Sequence, residues 1–265
     1  MPKRSGKRKR AQKEADEEEA AGNAYTGSAA GPDAFRLTDE CHHYQKRREV
    51  PWDIQKYWEQ RYSIWSAYDD GIQMTDDAWF GVTPERVANQ VAIDICEVFP
   101  DISTEKTTII DMFGGAGGNS IAFALSKRWE HVISIEKDAS VIACAQNNAA
   151  VYEVSEYITF IHADSFTYLS ENASSIDKSK TVMFGSPPWG GPGYSTDKVF
   201  NLRTMKPYSL QDIHKVCSGM DFALFLPRTS DLNQIAKLAP QDKKIDVVQY
   251  CMEGASKAMV AYIPT

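Results

Sequence analysis

Thr107-Thr108-Ile109-Ile110-Asp111-Met112-Phe113-Gly114-Gly115-Ala116-Gly117-Gly118-Asn119 is the stretch that decides the fold. An apolar run from Thr107 to Ile110 meets an acid, a glycine-rich turn follows, and a helix-like run from Ser120 to Lys127 comes next. The order is strand, turn, helix. Glycines in such a turn permit positive φ and let backbone N–H groups approach a ligand closely, as in the first turns of nucleotide-binding folds. Further along, a second apolar strand, Val132 to Ile135, ends at Glu136, about 25 residues beyond Asp111 and near the spacing of a ribose-binding carboxylate. A third strand, Ile158 to Ile161, ends near Asp164. Three successive strands therefore carry acids at or near their carboxyl ends, where open α/β sheets bind ligands.

The ligand class follows from what accompanies the glycines. The acid precedes them and no Gly-Lys-Ser/Thr follows, which argues against a P-loop. S-adenosylmethionine has no phosphates, and its ammonium, ribose and adenine amine call for carboxylates and carbonyls. The pattern fits it better than NAD or ATP. Strand-end acids facing a pocket are expected to carry no core packing. The competing reading is three merely solvated acids.

A second motif lies downstream. Thr181-Val182-Met183-Phe184 reads as a buried strand stopped by Gly185 and followed by Ser186-Pro187-Pro188-Trp189-Gly190-Gly191-Pro192. Each proline fixes its own φ and biases the preceding residue toward extended geometry, so the carbonyls point in fixed directions. The Ser186 hydroxyl and the Pro187 carbonyl can accept two hydrogen bonds from one exocyclic amine while the Trp189 indole stacks on the ring that carries it. This is a site for modifying a planar heterocycle at an NH₂ group. A proline-rich turn with Trp189 packed into the core is the alternative.

With these residues in view, the chain resembles the trimethylguanosine synthase family of cap-modifying RNA methyltransferases. The resemblance rests on Trp79-Phe80-Gly81-Val82-Thr83-Pro84-Glu85, on Asp111 to Asn119, on Ser186 to Tyr194 and on Leu226-Pro227-Arg228, in order from about Trp52 to the last strand. Two departures are mild. Glu136-Lys137-Asp138 stands where the family more often shows Asp-x-Asp, and Gly115 replaces another small residue or cysteine. The resemblance implies methyl transfer from S-adenosylmethionine to guanine N2 of an m7G cap, giving dimethyl- and trimethylguanosine caps on small nuclear and nucleolar RNAs. It implies Ser186, Pro187 and Trp189 as the catalytic group. Cofactor contacts are implied for Asp111, Phe113, Gly114, Gly117, Asn119, Glu136, Asp164, Thr83 and Pro84, with Asp111, Glu136 and Asp164 at the methionine amine, ribose and adenine ends. Substrate contacts are expected from Trp189, Tyr194 and Arg228, backed by Lys198, Arg203 and Lys206.

The net charge of −7 at first argues against RNA, but its distribution answers this in part. Met1 to Lys13 holds seven basic residues and no acid, and Glu14 to Glu19 is strongly acidic. A cap-end substrate needs only a local basic groove. Lys3-Arg4 with Lys7-Arg8-Lys9-Arg10 matches a nuclear localisation patch, pointing to the nucleus with a possible cytoplasmic pool. The five cysteines, at 41, 96, 144, 217 and 251, show no paired metal spacing and read as reduced, mostly buried thiols. Cys41-His42-His43 reads as a polar linker, and no metal is expected. No apolar run approaches the roughly 20 residues of a membrane helix. RNP proteins that present the RNA are the expected partners.

Three regions are expected: residues 1–35 as a disordered tail, 36–100 as an N-terminal helical extension, and 101–265 as the methyltransferase domain. The fold class is α/β, a seven-stranded Rossmann-like methyltransferase sheet under a helical cover. Trp52, Tyr57, Trp58, Tyr62 and Trp65 recur at near-helical spacing, and most are expected in the core. Thr83-Pro84-Glu85 offers an N-cap, a first-turn proline and a first-turn acid for a helix to Phe99. Asp138 to Val154 reads as the longest helix, and Leu210 to Val216 and Leu232 to Leu238 as later ones. Phe222 to Leu226, Ile245 to Tyr250 and Ala258 to Ile263 read as strands, the last two an antiparallel hairpin.

Two readings compete. Amino-methyltransferases of adenine N6 or internal guanine N2 more often place Asn or Asp before Pro-Pro and Tyr or Phe after, and Ser186 and Trp189 weigh against them. A non-catalytic RNA-binding or assembly factor need not keep the glycine turn and the strand-end acids.

Overall fold

A computed structural model describes residues 35–99, 107–189, 198–252 and 254–265. The basic and acidic tail, Tyr194 and the Gly190-Gly191-Pro192 part of the second motif lie outside the described residues.

Seven strands form one mixed sheet in the order β3-β2-β1-β4-β5-β7-β6. They are β1 (Thr108–Asp111), β2 (His131–Glu136), β3 (Ile158–His162), β4 (Thr181–Gly185), β5 (Asp221–Leu226), β6 (Asp246–Met252) and β7 (Ala255–Ile263). The first five are parallel, while β7 runs antiparallel to both β5 and β6. Parallel strands covered on both faces are apolar throughout rather than alternating, and the runs in β4 and β5 are buried at every position. Successive residues still serve opposite layers. Ala223 and Phe225 join one core cluster, and Phe222, Leu224 and Leu226 join the other.

Eight α-helices are assigned among the described residues. In chain order they are α1 (Gln55–Trp58), α2 (Arg61–Ile64), α3 (Glu85–Val98), α4 (Gly118–Leu125), α5 (Ala139–Val151), α6 (Ser165–Glu171), α7 (Leu210–Val216) and α8 (Leu232–Ala236). The first core cluster joins α3, α4, α5 and the segment before them, and the second joins α6, α7 and α8.

Some local expectations change. Pro84, with φ −58° and ψ 137°, is the N-cap of α3, and Thr83 lies one residue outside. The Thr83 hydroxyl instead accepts from Asn119 Nδ2 at 3.1 Å. At 14 residues α3 exceeds the 13 of α5, because Glu153 takes φ 57°, a left-handed conformation that no helix continues through. Of the aromatic stripe, Trp58 and Trp65 are buried and Tyr57 packs partly, but Trp52 is 86% exposed and Tyr62 half exposed. Cys144 and Cys217 are buried, Cys41 and Cys96 are half-buried, and Cys251 is exposed.

One side chain links the leading segment to the glycine turn. Asn148, fully buried in α5, accepts from Gln73 N–H at 2.8 Å and donates to the Gln73 carbonyl at 2.9 Å. The same amide donates to the Ala116 carbonyl at 3.0 Å. Asn148→Ala therefore strips partners from three backbone groups. Each buried unpaired group costs about 1–3 kcal/mol, so we expect a loss of about 2–5 kcal/mol in urea unfolding. A loss below about 1 kcal/mol would mean that the three groups find other partners.

Candidate active site

The strand order reverses between β1 and β4, so the connections leaving their carboxyl ends diverge and open a crevice. Both sequence motifs start there. Asp111 pairs in register with Phe184, so the glycine turn after β1 and Ser186-Pro187-Pro188-Trp189 after β4 leave the sheet side by side.

The turn is built around missing side chains. Gly117 holds φ 95°, and a Cβ there would stand 3.2 Å from Ile121 Cδ1 and 3.3 Å from Ala145 Cα. At Gly114 a Cβ would collide with Ser134 Oγ. The turn is held to β2 by Gly114 N–H donating to the Ile135 carbonyl at 2.9 Å and Gly115 N–H donating to Glu136 Oε2 at 3.0 Å. It is also covered from the leading segment. A Cβ on Gly118 would lie 3.4 Å from the Thr83 carbonyl and 3.8 Å from the Trp65 ring.

The three strand-end acids stand in different surroundings. Asp111 is fully buried, accepting from Ser120 Oγ at 2.7 Å and, longer, from Phe113 N–H at 3.4 Å. This differs from the expectation of an acid without core packing: β1 ends inside the crevice wall, and the Ser120–Ser134 hydroxyl pair closes over it. Burial pushes its carboxyl up to about 7, against the pull of Ser120 and Phe113, with Glu136 adding to the rise. Glu136 is also raised by burial, opposed by the N–H groups of Asp138, Gly115 and Lys137. Asp164 caps α6, with Oδ1 accepting from Phe166 and Thr167 N–H, and Oδ2 accepting from the Tyr208 hydroxyl.

Beyond β4, Ser186 is half-buried, Pro187 buried and Pro188 exposed. Gly185 extends the strand by one residue, pairing with Leu224, and a Cβ there would press 3.2 Å from Leu224 Cδ2 and 3.7 Å from the Phe113 ring. Trp189 is half-buried and lies parallel to Phe225 of β5, with centroids 5.9 Å apart and planes at 8°.

Hydrogen bonds tie together the two segments that carry Lys198, Arg203 and Arg228. Phe200 N–H donates to the Thr229 carbonyl at 2.7 Å, Asp231 N–H returns to the Phe200 carbonyl at 3.1 Å, and Gln234 reaches Asn201 at 2.9 Å. These bonds fasten the 198–204 segment to the turn after β5 that carries Arg228. Lys198, Arg203, Lys206 and Arg228 are all exposed. Sequence reasoning missed Asn148, Ser120, Ser134 and Tyr208. Polar residues inside otherwise apolar runs were the available signal, most plainly Gln146-Asn147-Asn148 in α5.

Among the described residues no three His, Cys, Asp or Glu side chains gather to hold a metal ion, and no helix is long and apolar enough to cross a membrane.

Comparison with known proteins agrees with this geometry. Residues 106–265 match the family model described as RNA cap guanine-N2 methyltransferase. A trimethylguanosine synthase of Schizosaccharomyces pombe is 35% identical over 216 residues, covering 80% of this chain and 87% of that protein. A trimethylguanosine synthase of Saccharomyces cerevisiae is 36% identical over 186 residues, 69% of this chain and 57% of that protein. Among solved structures, one from Porphyromonas gingivalis W83 described as a methyltransferase aligns with a TM-score of 0.56 at 12% identity. It covers 84% of this chain and 55% of the other, a likeness of fold alone. The chain belongs to the RNA cap guanine-N2 methyltransferase family, S-adenosylmethionine-dependent enzymes that act on RNA.

Proposed function

We propose that this chain methylates guanine N2 of m7G caps on small nuclear and nucleolar RNAs, up to the trimethylguanosine form, in the nucleus and on RNA presented by RNP proteins. The observation that carries the site assignment is the position of both motifs at the β1–β4 reversal, where one crevice holds the glycine turn and the Ser186–Trp189 segment.

The residues suit the cofactor. Its chemistry when bound is an electrophilic methyl carried on a sulfonium. Asn119 Oδ1 is buried with no hydrogen-bond partner among the described residues, an acceptor left for a ligand's donor. Glu136, on the rim of the turn, suits ribose hydroxyls, and Asp164 the adenine amine. Phe113 and the backbone of Gly114 and Gly117 offer a surface without side chains in the way, with Thr83 and Pro84 covering it. Asp111, buried behind the turn, supplies negative charge to the methionine ammonium and holds Phe113 and Ser120 in place.

Transfer to an aromatic amine depends on placement more than on acid–base chemistry, and proximity with orientation can supply roughly 7–11 kcal/mol. Ser186 Oγ and the Pro187 carbonyl accept from N2 and aim its lone pair. Trp189, backed on Phe225, gives the guanine a fixed stacking face. Arg228, Lys198, Arg203, Lys206 and Tyr194 bind the cap ribose and phosphates. N7 methylation makes the purine cationic, which adds a cation–π gain of about 0.5–2 kcal/mol on an indole.

Trp189→Ala is expected to lower turnover more than tenfold while S-adenosylmethionine affinity stays within a few fold, since base–aromatic stacking is worth about 1–3 kcal/mol. Turnover assays with m7GpppG and calorimetry with the cofactor measure the two effects. Retention of more than roughly a tenth of wild-type turnover, a loss near 1.4 kcal/mol or less, removes the stacking role.

Cap choice gives a separate test. The wild type should methylate m7GpppG far faster than GpppG, and Trp189→Phe should narrow that ratio while retaining some activity. Equal rates on the two caps in the wild type would overturn the cap reading in favour of an internal amine.

The Asp111 carboxyl sets a pH dependence. Its folded value, about 7, lies above the unfolded carboxylate range, so its stabilising contribution is present at low pH and is lost as pH rises from about 4 to about 7. Asp111→Asn should therefore gain in Tm relative to the wild type across that window while binding S-adenosylmethionine more weakly at pH 8. A Tm difference that does not change with pH, or an unchanged dissociation constant, would count against this role.

A further inference from the structure

Asp164 has one oxygen committed to its helix and one directed elsewhere. Oδ1 accepts from Phe166 N–H at 3.0 Å and Thr167 N–H at 3.1 Å. Oδ2 accepts from the Tyr208 hydroxyl at 2.5 Å. The Tyr208 ring lies on Phe166, with centroids 3.6 Å apart and planes at 16°. Phe113, from the glycine turn, stands 6.5 Å away on centroids. The Tyr208 ring thus lies between Phe166 of the capped helix and Phe113 of the glycine turn while its hydroxyl holds the carboxylate.

We propose that Tyr208 is a positioning and specificity-determining residue of the cofactor site: its hydroxyl fixes Asp164 Oδ2 as an acceptor for a purine's exocyclic amine, and its ring helps to wall the purine. This rests on the reading of Asp164 as the adenine end of the site. A carboxylate oxygen has two lone pairs, so Oδ2 keeps one after accepting from Tyr208. With donors on both oxygens the carboxylate cannot readily turn away, and a ring carrying C=O instead of NH₂ meets an acceptor facing an acceptor. Sites built to hydrogen-bond one group reject the analogue lacking it strongly, because buried polar atoms are left unpaired. Burial and the adjacent Asp164 carboxylate push the Tyr208 hydroxyl above its ordinary value, so it remains a donor throughout the working pH range. Tyr208 stands at the end of the segment that also carries Lys198, Arg203 and Lys206, so that one stretch serves both ligands.

The test is calorimetry on the full chain with S-adenosylhomocysteine and with its deaminated counterpart, S-inosylhomocysteine. The wild type should prefer the adenosyl compound by on the order of 100-fold or more. Tyr208→Phe keeps the ring and removes the hydroxyl. It should weaken S-adenosylhomocysteine several-fold and narrow the preference about tenfold. Asp164→Asn keeps an oxygen for the helix cap and turns an amide donor toward the purine, so its preference should move toward the inosyl compound. If the Asn variant binds both compounds as the wild type does, Asp164 is not at the adenine end and the underlying reading fails. If the Asn variant shifts while Tyr208→Phe keeps the wild-type ratio, the Tyr208 role alone is overturned. A lowered Tm in Tyr208→Phe with an unmoved ratio also counts against it, since a purely structural residue would behave that way.

Discussion

The glycine turn after β1 depends on Asn148. That side chain closes a pair of hydrogen bonds with Gln73 on one side and binds the Ala116 carbonyl of the turn on the other. A turn with two positive-φ glycines has few internal bonds, and its carbonyls need partners that do not fill the space a ligand requires. Asn148 supplies one from beneath, Ile135 and Glu136 brace the turn from β2, and Thr83 holds Asn119 from above. The turn is thereby held by groups outside it, and the leading segment braces the turn as well as covering the sheet.

The same economy governs the acids. Asp111 and Glu136 end their strands and Asp164 lies two residues beyond β3, and their partners differ: the Ser120 hydroxyl and the Phe113 N–H for Asp111, backbone N–H groups for Glu136, and a helix cap plus a phenol for Asp164. Burial pushes both the Asp111 and the Glu136 carboxyls up, and at Glu136 three backbone N–H groups oppose that rise. At the other wall Trp189 has Phe225 behind it, which fits a ring used as a platform whose position must not drift.

Much of the fold was legible because its signals are local. β4, α7 and β5 fall within a residue of where the apolar runs and Gly185 mark them, and the closing antiparallel pair follows from two strands with a short connection. Errors arose where one group had two possible partners. Thr83 is a good N-cap by composition, but Asn119 claims its hydroxyl and Pro84 takes the cap. Asp111 reads as an acid without core packing, but Ser120 accompanies it in the fold and Ser134 pairs with Ser120, so that its carboxyl is fully buried.

The sequence by itself determined the class of chemistry, since a strand-turn-helix with strand-end acids and Ser186-Pro187-Pro188-Trp189 need no distant partner to be recognised. The tertiary structure alone decided which side chains support that chemistry. Asn148 meets Gln73, Tyr208 meets Asp164 and Trp189 meets Phe225 across long separations in the chain, through one or two hydrogen bonds or a ring contact. Such contacts leave no periodicity in the sequence. They arise only when the β1–β4 reversal brings distant segments to one edge of the sheet.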